Sequence, residues 1–280
     1  MGIALEESDT TIKARRSFGE QMREFPWWAV IIVVFLIGAF IYMIRDPSYR
    51  NALSFIAFPP TETEIAFGIE VRNGLMMTLY TTVIAYLIAL VLGLVLGIMR
   101  VSRNPIMYHL STLYVELMRG VPMLVLIIWI GFVVVPYLRN VVGNESITGL
   151  QGALIGLGFG YAAYLAEVYR SGIESIPRGQ MEAARSLGMG YRQAMQHVIL
   201  PQAIRRVVPP LSNDLVAMLK DSALVSVVAV PEILQMARLY VSRTFRAFEG
   251  YNSAAFLYLV LTLLFIIIVR MIERRWRASV

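Results

Sequence analysis

The chain has 280 residues, 58% hydrophobic and only 16% charged, against roughly 25% charged in soluble domains, and its mean hydropathy of +0.64 points to a membrane. It has no cysteine, and His109 and His197 are far apart, which excludes disulfides, thiolate chemistry and local metal motifs such as HExxH. The formal charge of +6 is spread between apolar runs rather than gathered in one aromatic-rich stripe, which argues against nucleic acid as a partner.

Residues 1–26 form a mixed-charge tail ahead of Trp27-Trp28 and an apolar run, Trp27 to Ile44, that closes on Arg45-Asp46-Pro47 without a small-residue cleavage site. This reads as a retained anchor in the bilayer rather than a signal peptide. Further runs of about twenty residues without charge, Asn73–Met99, Gly120–Leu138, Ser146–Ala166 and Gly250–Val269, read as membrane spans. A sixth span is expected over Val207–Val230 despite Asp214, Lys220 and Asp221. The expected fold is therefore an all-α membrane protein with six transmembrane helices. Lys and Arg number 17 on the side that holds the termini and the segments 100–119 and 170–206, against 7 on the other. The positive-inside rule then places both termini in the cytoplasm.

Gly93 and Gly97, and Gly152, Gly156 and Gly160, follow the small-xxx-small spacing that lets helices approach closely. Gly156-Leu-Gly158-Phe-Gly160 lies inside an apolar span and lacks the strand-turn-helix setting of a nucleotide loop. Neither Lys13 nor Lys220, the only lysines, follows a GxxxxG loop, so the chain does not bind ATP through a P-loop of its own.

The segment from Arg170 to Pro201 reads as a helix, a glycine turn and a second helix. Ser175 is a candidate cap, Pro177 suits an early helical position, and Gly188 stands where a left-handed residue is wanted. Tyr191, Ala194, Met195 and Val198 fall on one face of the second helix, and Pro201 is expected to end it. Ala183-Ala184 leaves a shallow spot that another surface could approach. By its residues alone, the segment could equally be a hairpin tucked against its own spans.

Glu182-Ala183-Ala184, Gly188 and Ile199-Leu200-Pro201 resemble the EAA signature of ABC importer permeases. The segments Tyr114–Pro122, Tyr164–Ile173, Gly179-Gln180, Leu200–Ala203, Asn213, Lys220–Leu224 and Glu273–Arg275 resemble, in order, the polar amino acid branch of that family. The resemblance implies a five-helix transport core over residues 72–276 plus one N-terminal span at 27–44. It also implies a cytoplasmic loop, 171–206, whose Gln180, Glu182, Ala183, Ala184 and Gly188 couple to separate ATP-binding cassette ATPase subunits. The further partners implied are an extracytoplasmic solute-binding protein, a second permease subunit and an amino-acid substrate, in the inner membrane of a prokaryote; no cofactor is implied. The branch usually has Thr-Ser where this chain has Ser222-Ala223, and often a glutamine where Ile127, Ile128 and Trp129 stand.

Lys220 lies about 16 Å into its span if that begins near Pro209, close to the bilayer centre, where an ionised group costs on the order of 2.5–3.5 kcal/mol. Such groups face a water-filled cavity or a partner. Lys220, Asp221, Ser222 and Glu167 are therefore candidates for a substrate pathway, with Asp221 accepting an α-ammonium. The competing readings are a structural pair such as Lys220 with Glu167, or an ion-coupled secondary transporter that uses Lys220 and Asp221. Glu116 and Arg119, at i and i+3, are expected to form a local ion pair. No nucleophile or metal cluster supports a membrane enzyme.

Overall fold

The computed structural model describes residues 27–59, 63–66, 69–143 and 148–277; the tail at 1–26 lies outside them. The chain falls into two units, residues 1–45 and 46–280. In the first, helix α1 (Trp27–Arg45) has 19 residues, about 28 Å of rise, which matches the thickness of a hydrocarbon core.

The second unit opens with α2 (Pro47–Ala57). Asp46 Oδ1 accepts the backbone N–H of Ser48 at 2.7 Å, and Pro47 takes a position where its missing N–H costs nothing. Strand β1 (Thr63–Ala66) pairs antiparallel with β2 (Ile69–Arg72), Thr63 opposite Arg72. There follow α3 (Leu75–Arg100), α4 (Pro105–Gly120), α5 (Met123–Trp129), a π turn at Ile130–Val134, α6 (Val135–Val142) and α7 (Gly149–Glu174). The segment after α7 contributes α8 (Arg178–Ser186) and α9 (Tyr191–Ala194). A second π turn (Met195–Ile199) leads into α10 (Leu200–Asp221), a 3-10 segment (Ser222–Val228), α11 (Ile233–Thr244) and α12 (Ala247–Arg277). Apart from the one hairpin the described fold is helical, as expected.

Among the described residues four stretches are by themselves long and apolar enough to cross a membrane, Leu75–Arg100, Met123–Val141, Gly149–Glu174 and Ala247–Glu273, and Val30–Arg45 with Pro47–Ala57 makes a fifth if that pair counts as one span. The segment expected as a span over 207–230 is helical, but its charges keep it out of that group. It runs beside α3 and α7, and Met218 and Val225 lie in the same core cluster as Ala85, Leu157 and Tyr161. A Cβ on Gly93 would stand 2.8 Å from Leu165 Cβ, and one on Gly97 2.7 Å from Tyr169 Cβ. Both glycines are what permits α3 to lie this close to α7.

Several boundaries differ from the sequence expectation. The stretches 45–72 and 231–249, read as connections, contain α2, the hairpin and α11. The third span begins at Met123, close to the expected Gly120, but a separate helix, α4, leads into it. Val115 of α4 is buried with Ala162, Ala163 and Ala166 of α7, and the Tyr114 hydroxyl donates to the Phe159 carbonyl at 2.9 Å. Ile106, Leu110, Leu113 and Leu117 make an exposed apolar flank on α4. The path beside α7 thus runs from 105 to 142, interrupted where Pro122 cannot donate to a helix. Pro201 does not end its helix, because the π turn before it bonds Leu200 N–H to the Met195 carbonyl and absorbs the proline as an early residue of α10. Pro136 follows the other π turn in the same way.

Candidate functional site

The loop between α7 and α10 is built around the end of α8. The Met189 N–H donates to the Ala184 carbonyl at 3.2 Å and the Gly188 N–H to that of Arg185 at 3.0 Å. This six-to-one plus five-to-two pattern is a Schellman motif, and it requires the φ of +84° that Gly188 adopts. The expected left-handed turn is therefore present. Ser175 does not cap α8: its hydroxyl donates to the Gly172 carbonyl at 2.7 Å, within the last turn of α7, and Pro177 occupies the cap position instead. Gln180, Glu182, Ala183 and Gly188 are exposed, as is Leu187 at 81%, whereas Ala184 faces inward at 4%. The shallow spot is thus Ala183 alone, beside a large apolar side chain.

The loop is tied back to the membrane helices. Gln202 Nε2 donates to Gln180 Oε1 at 3.2 Å, Arg206 donates to the Ser175 carbonyl, and Ile176, Ile199 and Ala203 form a buried cluster with Met181 and Met195 packed against it. Rigid-body movement of α8 would therefore be passed to both α7 and α10.

Further along α10, neighbouring side chains point apart, as helical geometry demands. The Tyr161 hydroxyl of α7 donates to Asp221 Oδ2 at 2.7 Å. Asp214, two turns below Asp221, lies close enough to Tyr86 and Tyr161 to act on both electrostatically, and the Tyr86 hydroxyl donates to the Leu211 carbonyl at 2.6 Å. Two carboxylates and two phenols thus make one polar column between α3, α7 and α10. Lys220 points elsewhere. It is exposed and shares a cavity of about 400 Å³ with Asn213, Arg270 and Glu273, between α10 and α12. Asp221 is not among the residues that line that cavity.

Ser222 is buried and donates to the Leu219 carbonyl at 2.7 Å, with the Tyr258 hydroxyl also in reach. Glu167 does not meet Lys220. It binds Arg100 Nη1 at 2.7 Å and Arg170, which also binds Glu174, towards the C-terminal end of α7. Glu167 lies six residues, about 9 Å of helix rise, from Tyr161. Nor do Glu116 and Arg119 pair; the Arg119 guanidinium sits 5.6 Å from the ring centroid of Tyr164. Tyr161 and Tyr164 escaped sequence reasoning, and their signal was a pair of aromatics at i and i+3 in a span otherwise rich in Gly, Ala and Leu.

Glu232 was also missed. Fully buried, it accepts the N–H groups of Leu234 at 2.9 Å and Gln235 at 2.8 Å and the hydroxyl of Tyr258, while Thr78 Oγ1 accepts the N–H of Ile233 at 3.1 Å. One carboxylate thereby caps α11 and ties it to α12. Among the described residues no group of three or more His, Cys, Asp or Glu side chains could hold a metal ion.

Residues 65–278 match the sequence profile of the binding-protein-dependent transport system inner membrane component family. The chain belongs to that family. A probable glutamine ABC transporter permease of Bacillus subtilis is 38% identical, over 74% of this chain and 93% of its own length. An arginine transport system permease of Corynebacterium glutamicum is 34% identical, over 84% and 75%. Among solved structures, an amino acid ABC transporter described with histidines is 37% identical with a TM-score of 0.66, covering 72% of this chain and 92% of that one. A methionine ABC transporter in an inward-facing conformation is 26% identical with a TM-score of 0.61, covering 72% and 94%. The protein is accordingly a helical, multi-pass permease subunit of an ABC importer, and the ion-coupled alternative is not favoured.

Proposed function

We propose that this permease carries a polar amino acid inward as one half of a two-subunit pore, drawing on ATP hydrolysis by separate cassette subunits and on delivery by an external binding protein. The reading rests first on the cytoplasmic loop: a nine-residue helix, closed by a Schellman turn and strapped to α7 and α10, presents exposed Gln180, Glu182, Ala183 and Gly188 beside Leu187. Such a helix suits a groove on an ATPase and does mechanical rather than catalytic work. Residues 72–276 would be the transport unit, 171–206 its coupling loop, and 27–44 an added span. Both termini would lie in the cytoplasm of a prokaryotic cell, with the chain in its inner membrane.

For the substrate, the column of Asp214, Asp221, Tyr86 and Tyr161 offers anionic and hydroxyl acceptors to an α-ammonium, with Asp221 its first contact and Ser222 beside it. Lys220, in its separate cavity, would meet a carboxylate or line the pore wall. Glu167 would serve this path from its cytoplasmic end, with its charge already shared by Arg100 and Arg170. The amino-acid character follows the specificities of the relatives. Uptake of labelled glutamine, arginine, histidine and methionine into proteoliposomes holding the whole complex tests the reading. ATP-dependent accumulation of none of them, with a binding protein present, would sink it.

A further inference from the structure

A cavity of about 530 Å³ opens where α3 leaves the membrane and the cytoplasmic loop returns to it. Its floor is apolar, formed by Ile98, Val101, Ile173 and Met195, and its rim carries Ser102, Arg103 and Tyr191. The volume is that of a small-molecule site rather than a packing defect.

Arg103 decides what such a site would hold. Its neighbours Arg100 and Arg170 are neutralised by Glu167 and Glu174. Among the described residues Arg103 has no carboxylate partner; its guanidinium stands 5.9 Å from the ring centroid of Tyr191. An exposed guanidinium beside an aromatic ring and without a carboxylate partner is suited to a phosphate, which it can bind in bidentate fashion. Below the cavity, Val91, Leu94, Val95 and Ile98 form an exposed apolar flank along α3, spaced to run down one face of the helix towards the bilayer centre. The site therefore joins a cationic rim to an apolar strip of about 10 Å, roughly two thirds of the hydrocarbon depth of one leaflet. A free phosphate ion would gain nothing from the strip and would lose hydration over the apolar floor. An amphiphile gains from both.

We propose that this cavity binds the headgroup phosphate of an anionic phospholipid from the cytoplasmic leaflet, with its acyl chains lying along Val91, Leu94, Val95 and Ile98. The placement rests on the orientation argued under Proposed function, and the binding itself needs no ATPase. One wall of the cavity is the end of α3 and the other is α9 with the π turn behind it, so a bound headgroup bridges a membrane span and the root of the coupling loop.

The test uses the whole transporter complex in nanodiscs of phosphatidylcholine with and without phosphatidylglycerol, and reads retained lipid by native mass spectrometry. Wild type and Arg103→Lys should retain phosphatidylglycerol over phosphatidylcholine. Arg103→Gln should lose about fivefold of that preference, the worth of one basic residue at an anionic surface. Arg50→Gln, on the opposite side, should behave as wild type. Equal retention by wild type and Arg103→Gln overturns the proposal, and so does full displacement of the lipid by inorganic phosphate. Retention does not depend on transport, so a failure of the importer reading would leave this result unchanged.

Discussion

Gly188→Val at the turn that closes α8 changes one residue with open space around it: no atom outside the chain neighbours lies within 4 Å of where its Cβ would be. Packing is therefore undisturbed, and the effect is confined to the backbone. At φ +84° an L-residue is strained, by about 1–2 kcal/mol for an ordinary side chain and more for a β-branched one. If the chain escapes the strain by leaving the left-handed region, it loses the bonds from Met189 to Ala184 and from Gly188 to Arg185, each worth about 0.5–1.5 kcal/mol. Either route lowers the population of the docking-competent loop by roughly 5- to 30-fold. The assay is binding-protein-stimulated ATP hydrolysis by the reconstituted complex, across Gly188→Asn, Gly188→Ala and Gly188→Val. Asparagine tolerates the left-handed region, so stimulation should fall in the order Gly, Asn, Ala, Val, while insertion and melting temperature stay near wild type. Stimulation by Gly188→Val equal to wild type, or loss by Gly188→Asn as severe as by Gly188→Val, would refute the argument that this turn positions the coupling helix.

Three further outcomes are expected. Asp221→Asn keeps an oxygen to accept from Tyr161 but removes the charge, so apparent substrate affinity should drop about 10- to 150-fold, equivalent to 1.5–3 kcal/mol, with the melting temperature nearly unchanged; Lys220→Met, in its separate cavity, should leave that affinity less affected, and the reverse order in transport titrations would reassign the ammonium site. Glu232→Ala should orphan the N–H groups of Leu234 and Gln235 and the hydroxyl of Tyr258, at about 1–3 kcal/mol for an unsatisfied buried group; thermal melting should register it, and an unchanged melting temperature would remove Glu232 as the tie between α11 and α12. Because the chain contains no cysteine, Gln180→Cys and Ser242→Cys can be labelled without background: a membrane-impermeant maleimide applied to whole cells should reach Ser242→Cys and not Gln180→Cys, and the opposite pattern would invert the topology.

What the sequence made legible was whatever depends on local chemistry or on a long average. The apolar runs placed the membrane helices, and Gly188 announced a left-handed turn because few other residues accept one. Asp46-Pro47 and Asn104-Pro105 were equally local helix starts, yet the runs around them were short and mixed, so α2 and α4 were read as connections. Pro201 misled because the rule that proline ends a helix assumes α geometry on its N-terminal side, and a π turn removes that assumption. At the polar column, sequence position gave Asp214 and Asp221 a common face, but no spacing argument identifies Tyr161 on another helix 60 residues away as the donor to Asp221. The Lys220 to Glu167 pairing failed partly for the same reason: Arg100 reaches Glu167 because of where the end of α3 lands, a property of the Gly93 and Gly97 contact, whereas Arg170, at i+3 on the same helix, is a local partner.

The wide turn at Met195–Ile199 also sets a phase. One residue of α-helix advances the side chains by about 100°, so a turn holding one residue more than α geometry requires offsets everything before it from everything after it by nearly a third of a revolution. The direction in which α9 and the Schellman turn face, as seen down the axis of α10, is thereby set by residue count, and the contacts of the loop with α10 hold it there. Two chains of this kind with identical docking residues but a turn one residue shorter would present those residues to different sides of the same span.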